Sequence, residues 1–288
     1  MSPVNAALRA VFDVLNAPFS GLPALVGVVA WSLVAAVAML VVFKHTSDQE
    51  RIAAVKKRIH ACLFEIRLFN DDLGAIFRAQ LEILRHNLVY MSLSFKPMLW
   101  MIVPLVLVIA HLQFHYGYRA LRPGDRTILK VALVEGWQER LGGATAGAHV
   151  RPPVELRVPE GLRLETPGVW VPSLGELTWR LAAASWGDYQ VEVRVGDEVY
   201  SKRVRVSDDL ARLSPVRPSA AFLSQLTWPA EAPLPAGGPL EEISVTYPAG
   251  EIGLLGWHVQ SEYAWMAAFF VLSIAFAFAL KKRFGVTI

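Results

Sequence analysis

The sequence predicts an α+β membrane protein with three transmembrane helices. A cytoplasmic antiparallel helical hairpin joins the first two, and an extracytoplasmic β-sandwich, with an immunoglobulin-like option, lies between the second and third. Three observations predict this. Residues 22–43, 97–118 and 263–280 contain no Asp, Glu, Lys or Arg. Each is long enough to cross a hydrocarbon layer of roughly 30 Å at about 1.5 Å per helical residue. Positive charge is unequal between the gaps: residues 44–96 hold nine Lys/Arg against six Asp/Glu, 119–262 hold fifteen against eighteen, and Lys281-Lys282-Arg283 follows the last span. Basic loops stay inside, so the N-terminus is expected outside and the C-terminus in the cytoplasm. Finally, the hydrophobic period changes from helical to two-residue alternation after about Thr127.

Each element follows in order. In residues 1–21, Val4, Leu8, Val11, Phe12 and Leu15 share a helical face until Pro18, Gly21 and Pro23 break it. This predicts an interfacial amphipathic helix on the outer side, with a frayed terminus as the alternative; no removable signal peptide is read. The first span is 22–43. In the hairpin segment, 44–96, a cap-like run Thr46-Ser47-Asp48-Gln49-Glu50 precedes apolar residues at Ile52, Val55, Ile59, Cys62, Ile66 and Phe69. Their steps of three and four are those of a coiled-coil seam. Asn70-Asp71-Asp72 favours a turn and an N-cap, so a second helix is expected to begin there and run to about Ser94; one continuous helix is the alternative.

The second span is 97–118, with Pro104 as a kink. Between the spans, residues 119–262 alternate in short runs at 128–134, 154–158, 177–181, 189–195, 199–206 and 243–247. Tyr189, Val191, Val193 and Val195 interleave with polar residues, and Gly196-Asp197 forms the turn of a β-hairpin. Gly187-Asp188-Tyr189 resembles the corner of immunoglobulin-like domains. The third span is 263–280, and the tail is 281–288.

Composition narrows function. The chain is 54% hydrophobic with a net charge of +3, and topology accounts for its basic residues without nucleic acid. Cys62 is the sole cysteine, which excludes an internal disulfide and a thiolate metal cluster. No Walker-type glycine loop, His-Glu-x-x-His or nucleophile elbow is present, so no cofactor, metal or enzymatic activity is expected.

A family resemblance rests on several motifs. Phe43-Lys44-His45-Thr46-Ser47-Asp48-Gln49 closes the first span, and the inner hairpin turns at Asn70-Asp71. Asn87-Leu88-Val89-Tyr90-Met91 and Ser94-Phe95-Lys96-Pro97 then lead into a proline-bearing second span. From about Val11 to Leu121 the chain resembles the DUF106 branch, related to EMC3 and TMCO1, of the Oxa1/YidC membrane-protein insertase superfamily. That resemblance implies a prokaryotic cytoplasmic (inner) membrane and a groove of three core helices open to lipid and cytoplasm. It implies hydrophobic client polypeptides as partners, with ribosome association one option, beside membrane lipids. Such a groove lowers the barrier for a polar segment, since each unsatisfied polar group in lipid costs several kcal/mol. The chain departs from bacterial insertases of the superfamily in one respect: residues 14–43 carry no charge in place of their positive groove residue.

Candidate residues follow. Met39, Met91, Met98 and Met101 gather near the cytoplasmic ends of the first two spans, where flexible thioethers suit varied hydrophobic clients, or ordinary packing. Ser32, Lys44 and Ser273 are the candidate polar groups of the groove, Lys44 with a lipid anchor as its other reading. Hairpin-seam residues are Ile52 through Phe69, as above. His111 and His115 are expected to make interfacial hydrogen bonds rather than bind metal. The reading from a different class is a structural or partner-binding envelope protein, whose β domain engages an extracytoplasmic protein.

Overall fold

The computed structural model describes residues 3–69, 71–141, 151–254 and 257–286. It is a mixed α+β chain with three helices long and apolar enough to cross a membrane, and with several antiparallel sheets. In chain order the helices are α1 (Pro3–Asn16), α2 (Ala24–Thr46), α3 (Gln49–Leu68), α4 (Leu73–Tyr116), α5 (Trp137–Arg140), α6 (Phe222–Thr227) and α7 (Ala264–Phe284). The strands are β1 (Arg126–Leu133), β2 (Val154–Arg157), β3 (Leu162–Leu164), β4 (Val169–Val171), β5 (Glu176–Ala183), β6 (Gly187–Val195), β7 (Glu198–Val206), β8 (Val216–Arg217), β9 (Leu240–Val245), β10 (Glu251–Leu254) and β11 (Trp257–Gln260). Two compact units divide the chain: residues 1–28 with 109–266, and residues 29–108 with 267–288.

The first unit is built on alternation. In β6, Val191, Val193 and Val195 are fully buried while Gln190, Glu192 and Arg194 face out, and Gly196 makes the tight turn into β7 in the left-handed region, φ 59°. Each valine side chain so buried stabilises by about 1.5–3 kcal/mol. One sheet runs β3-β5-β1-β9-β8 with β4 also on β5, a second runs β2-β6-β7, and β10 pairs with β11. Leu129 and Val131 of β1, Leu177 and Leu181 of β5, Ile243 of β9, and Val193 and Val204 of β6 and β7 belong to one buried cluster.

Helix α1 docks on this unit by its polar face. Tyr116 donates its hydroxyl to Asn16 Oδ1 at 2.9 Å, Asn16 Nδ2 donates to the Phe12 carbonyl, and Asn5 Nδ2 donates to the Gln225 carbonyl. Phe12 is buried, stacked on His111 with centroids 4.6 Å apart, whereas Val4, Val11 and Leu15 are exposed. Phe12 therefore leaves the apolar face that the periodicity assigns it. It lies 100° round the helix from Val11, on the side where Asn16 and Asp13 bond the rest of the unit.

In the second unit, α3 starts at Asp48, whose Oδ1 accepts from the Arg51 amide at 3.0 Å, and α4 starts at Asp72, whose Oδ1 accepts from Gly74 and Ala75. A new N-cap satisfies amides that would otherwise be orphaned, and with Phe69 as the C-cap of α3, α3 and α4 are separate helices. Asn70 itself lies outside the described residues.

Three expectations are corrected. The helix from Leu73 does not end near Ser94: α4 continues for 44 residues with Pro97 and Pro104 inside it, so the boundary at 96/97 is no break in secondary structure. Proline removes one intrahelical bond and strains the turn before it, and the long apolar run on both sides carries the helix across. Phe69 is not a seam residue. It is the C-cap of α3, φ −109° and ψ 48°, so its side chain leaves the helical face and is exposed. The first and third spans are also longer than their charge-free cores, since α2 runs to Thr46 and α7 takes in Lys281, Lys282 and Arg283, cations that favour a helix C-terminus.

Candidate functional site

The second unit presents two apolar stripes. The inner one contains Ile52, Val55 and Cys62, all buried, with Ile59 and Ile66 half-buried, and on α4 it contains the small buried Ala75 and Ala79. Cys62 Sγ lies 3.5 Å from Glu82 Oε2, and the Lys56 ammonium stands 5.3 Å from the centre of the Tyr90 ring. Burial, then the Glu82 carboxylate, pushes the Cys62 thiol up and keeps it protonated.

Sequence reasoning missed the second stripe. Leu73, Phe77, Leu81, Leu84, Leu88, Met91 and Phe95 recur along α4 at steps of three and four, and every one is exposed by half its surface or more. Leu63, Phe64 and Leu68 of α3 are exposed as well, at 51%, 68% and 75%. Contiguous exposed apolar surface of this extent is what a soluble protein avoids and a binding surface or lipid-facing surface needs. The signal was present in the sequence, because α4 carries too many leucines for one face.

Two of the four candidate methionines belong to this stripe or its continuation: Met91 is 65% exposed and Met98 45%. Met39 and Met101 are half-buried. Lys44 is exposed in the last turn of α2. Ser32 and Ser273 are brought together: Ser32 Oγ donates to the Phe269 carbonyl at 3.2 Å and Ser273 Oγ donates to the Ser32 carbonyl at 3.4 Å. This pair of reciprocal bonds clamps α2 to α7, a use of hydroxyls known to hold apolar helices together.

In the first unit, His111 and His115 serve packing and hydrogen bonding. His115 Nδ1 donates to the His111 carbonyl at 3.1 Å and its Nε2 faces Asp13 Oδ1 at 3.5 Å, an ion pair when the ring is protonated. Among the described residues no group of three His, Cys, Asp or Glu side chains is placed to hold a metal.

The same unit contains an ionic cluster that sequence reasoning also missed. Lys202 is fully buried; its Nζ donates to Glu231 Oε2 at 2.5 Å, to the Ser214 carbonyl at 2.6 Å and to Ser214 Oγ at 3.0 Å. Ser214 Oγ also donates to Glu231 Oε2 at 2.7 Å. Burial pulls Lys202 below the usual lysine range against the pull of Glu231. Burial opposes the Glu231 charge too, but Lys202, Ser214 and the Arg203 amide together hold its carboxyl below the usual carboxylate range. With every donor and acceptor paired, the cluster ties β7 to the segment after it and leaves no free nucleophile.

No family model, curated protein or solved structure matches this chain.

Proposed function

We propose that this chain receives hydrophobic segments of client polypeptides at a prokaryotic cytoplasmic membrane, as an insertase or membrane chaperone that performs no covalent chemistry. The observation that carries the reading is the exposed apolar stripe of α4 from Leu73 to Phe95. A side chain of Leu or Phe size stabilises a complex by about 1.5–3 kcal/mol when buried, so several in a row hold a passing apolar segment without catalysis. On this reading α3 and α4 form an antiparallel cytoplasmic hairpin. The Cys62–Glu82 and Lys56–Tyr90 contacts support it, since earlier residues of α3 meet later residues of α4.

The strands then form an extracytoplasmic β-sandwich, supported by a core drawn from both larger sheets. Its immunoglobulin-like corner is supported by the Tyr189 hydroxyl, which reaches back to the carbonyls of Ser185 and Trp186 at 3.0 Å. Resemblance to the Oxa1/YidC superfamily supplies the groove, and α2, α4 and α7 are the candidate core helices. Lys44 is the candidate cation at its mouth.

A photocrosslinker at Leu84, Leu88 or Met91, in full-length protein present while a membrane client is translated, is expected to trap that client. One at exposed Lys57 is not. Replacing Leu81, Leu84 and Leu88 together by Gln is expected to lower client insertion into proteoliposomes at least tenfold. Insertion that is unchanged when the protein is added sinks the proposal. Crosslinks found instead from exposed Val199 of β7 to an envelope protein replace it with the partner-binding reading.

A further inference from the structure

Beneath α1 lies a cavity of about 440 Å³ whose lining includes Arg9, Arg203, Arg212 and Arg217 with only Asp13 and Glu231 as carboxylates. That volume is in the range of small-molecule sites, roughly 300–1,000 Å³. Its charge does not balance. Glu231 is taken by Lys202, by Ser214 and by the Arg203 amide. Asp13 is shared between Arg212, at 3.1 Å, and His115, at 3.5 Å. The guanidinium groups of Arg203, Arg212 and Arg217 therefore share this cavity with one carboxylate that is already divided.

The guanidinium groups are also held in place. Arg217 is fixed by neutral acceptors, its Nε donating to the Ala232 carbonyl at 3.1 Å and its Nη1 to the Ser201 carbonyl, so its charge stays uncompensated. Arg212 Nη1 is buried without a hydrogen-bond partner among the described residues. Arg203 is exposed on the outward face of β7, the face it shares with Ser201 and Arg205. Burial, and then the neighbouring cations Arg9 and Arg203, press the Arg212 guanidinium below its ordinary range, which Asp13 partly offsets. A phosphate group, whose non-bridging oxygens share its negative charge, would reverse that pressure and give the Arg212 Nη1 donor a partner.

We propose that this arginine-lined cavity binds a phosphate-bearing anion, either the headgroup of a phospholipid or free phosphate. Geometry within the unit favours the headgroup. On α1 the cavity is lined by Ala6, Arg9, Ala10 and Asp13, while Val4, Val11 and Leu15 are exposed. A second cavity of about 290 Å³ shares Asp13, Arg203 and Arg212 and reaches His115, one residue from the end of α4. Basic side chains at the end of an apolar helix, beside an amphipathic helix with its apolar side open, suit an anionic headgroup whose chains remain in lipid. The inference rests on the first unit and not on client reception.

The test uses full-length protein purified in mild detergent. Retained phospholipid is measured by mass spectrometry, and melting temperature is measured with added inorganic phosphate or in nanodiscs of phosphatidylglycerol or phosphatidylcholine. The wild type is expected to retain anionic phospholipid and to melt higher in phosphatidylglycerol. Arg203→Gln, which removes an exposed cation and no ion pair, is expected to retain at least fivefold less; Arg212→Gln is the second variant, and Arg126→Gln, on the far sheet with Glu165, is the unchanged control. A shift with inorganic phosphate but no retained lipid assigns the site to free phosphate. If neither probe shifts the protein, or Arg203→Gln binds both as the wild type does, the proposal is overturned. Client crosslinking at Leu84 is unaffected by Arg203→Gln if only the anion site is lost, so the two readings fail separately.

Discussion

At the scale of single residues, strand alternation decides which side chains meet. Along β7 the two-residue period puts Tyr200, Lys202, Val204 and Val206 inside and Ser201, Arg203 and Arg205 outside. A buried lysine was thus legible in the sequence; its partner Glu231 was not, because 29 residues separate the two and no local pattern links them. Removing one partner of a buried pair leaves an uncompensated charge. Glu231→Gln is therefore expected to destabilise the protein by about 3 kcal/mol, and Lys202→Met with Glu231→Leu to recover most of it, read from thermal melts. The Glu231 carboxyl is held low in the folded protein, so its stabilisation is present above the unfolded value of about 4.3 and is lost as pH falls through the folded one. Melting temperature should drop as the pH is lowered below about 4.5 and the drop should be smaller in the double variant. Gly161 faces a different constraint: a Cβ there would stand 1.9 Å from Tyr189 Cζ, so Gly161→Val should cost about 1–3 kcal/mol or displace the Tyr189 hydroxyl from Ser185.

At the scale of elements, α4 shows how far local chemistry reaches. Its start was legible, because Asp72 is an N-cap residue and accepts from Gly74 and Ala75. Asp72→Ala should cost about 1 kcal/mol and raise amide exchange in the first turn of α4. Its course past Pro97 was not legible, since proline marks a helix boundary unless neighbouring packing overrides it, and Pro97 is buried. Pro97→Ala restores the missing donor and is expected to raise stability and straighten the helix, which spin labels at Leu88 and Val106 would report as a changed distance. Ile52, Val55 and Cys62 of the expected seam are buried, whereas the exposed stripe was hidden because α4 carries apolar residues on two faces. In α1 the same period found the apolar side, while its polar side holds the helix to the unit through Asn5 and Asn16.

At the scale of the whole molecule, the proposed topology makes its own prediction. Cys62 is the only cysteine, so a Cys62→Ala background accepts single reporters. A cysteine at Asp197, in the β6–β7 turn, should react with a membrane-impermeant maleimide on intact cells, and one at Asp71 only after permeabilisation; the opposite result reverses the topology. Taken alone, the sequence determined the three apolar spans, a cap-like run at 46–50, a turn and helix start at 70–72 and the strands with clean alternation. Those depend on hydropathy and on bonds within a few residues. Only the tertiary structure decided which of two faces of α4 stays open, that Lys202 finds Glu231 and Ser214, and that Arg9, Arg203, Arg212 and Arg217 line one cavity. The reason is physical: burial and charge pairing are set by neighbours distant in sequence, and these four arginines come from one helix, two strands and a connecting loop.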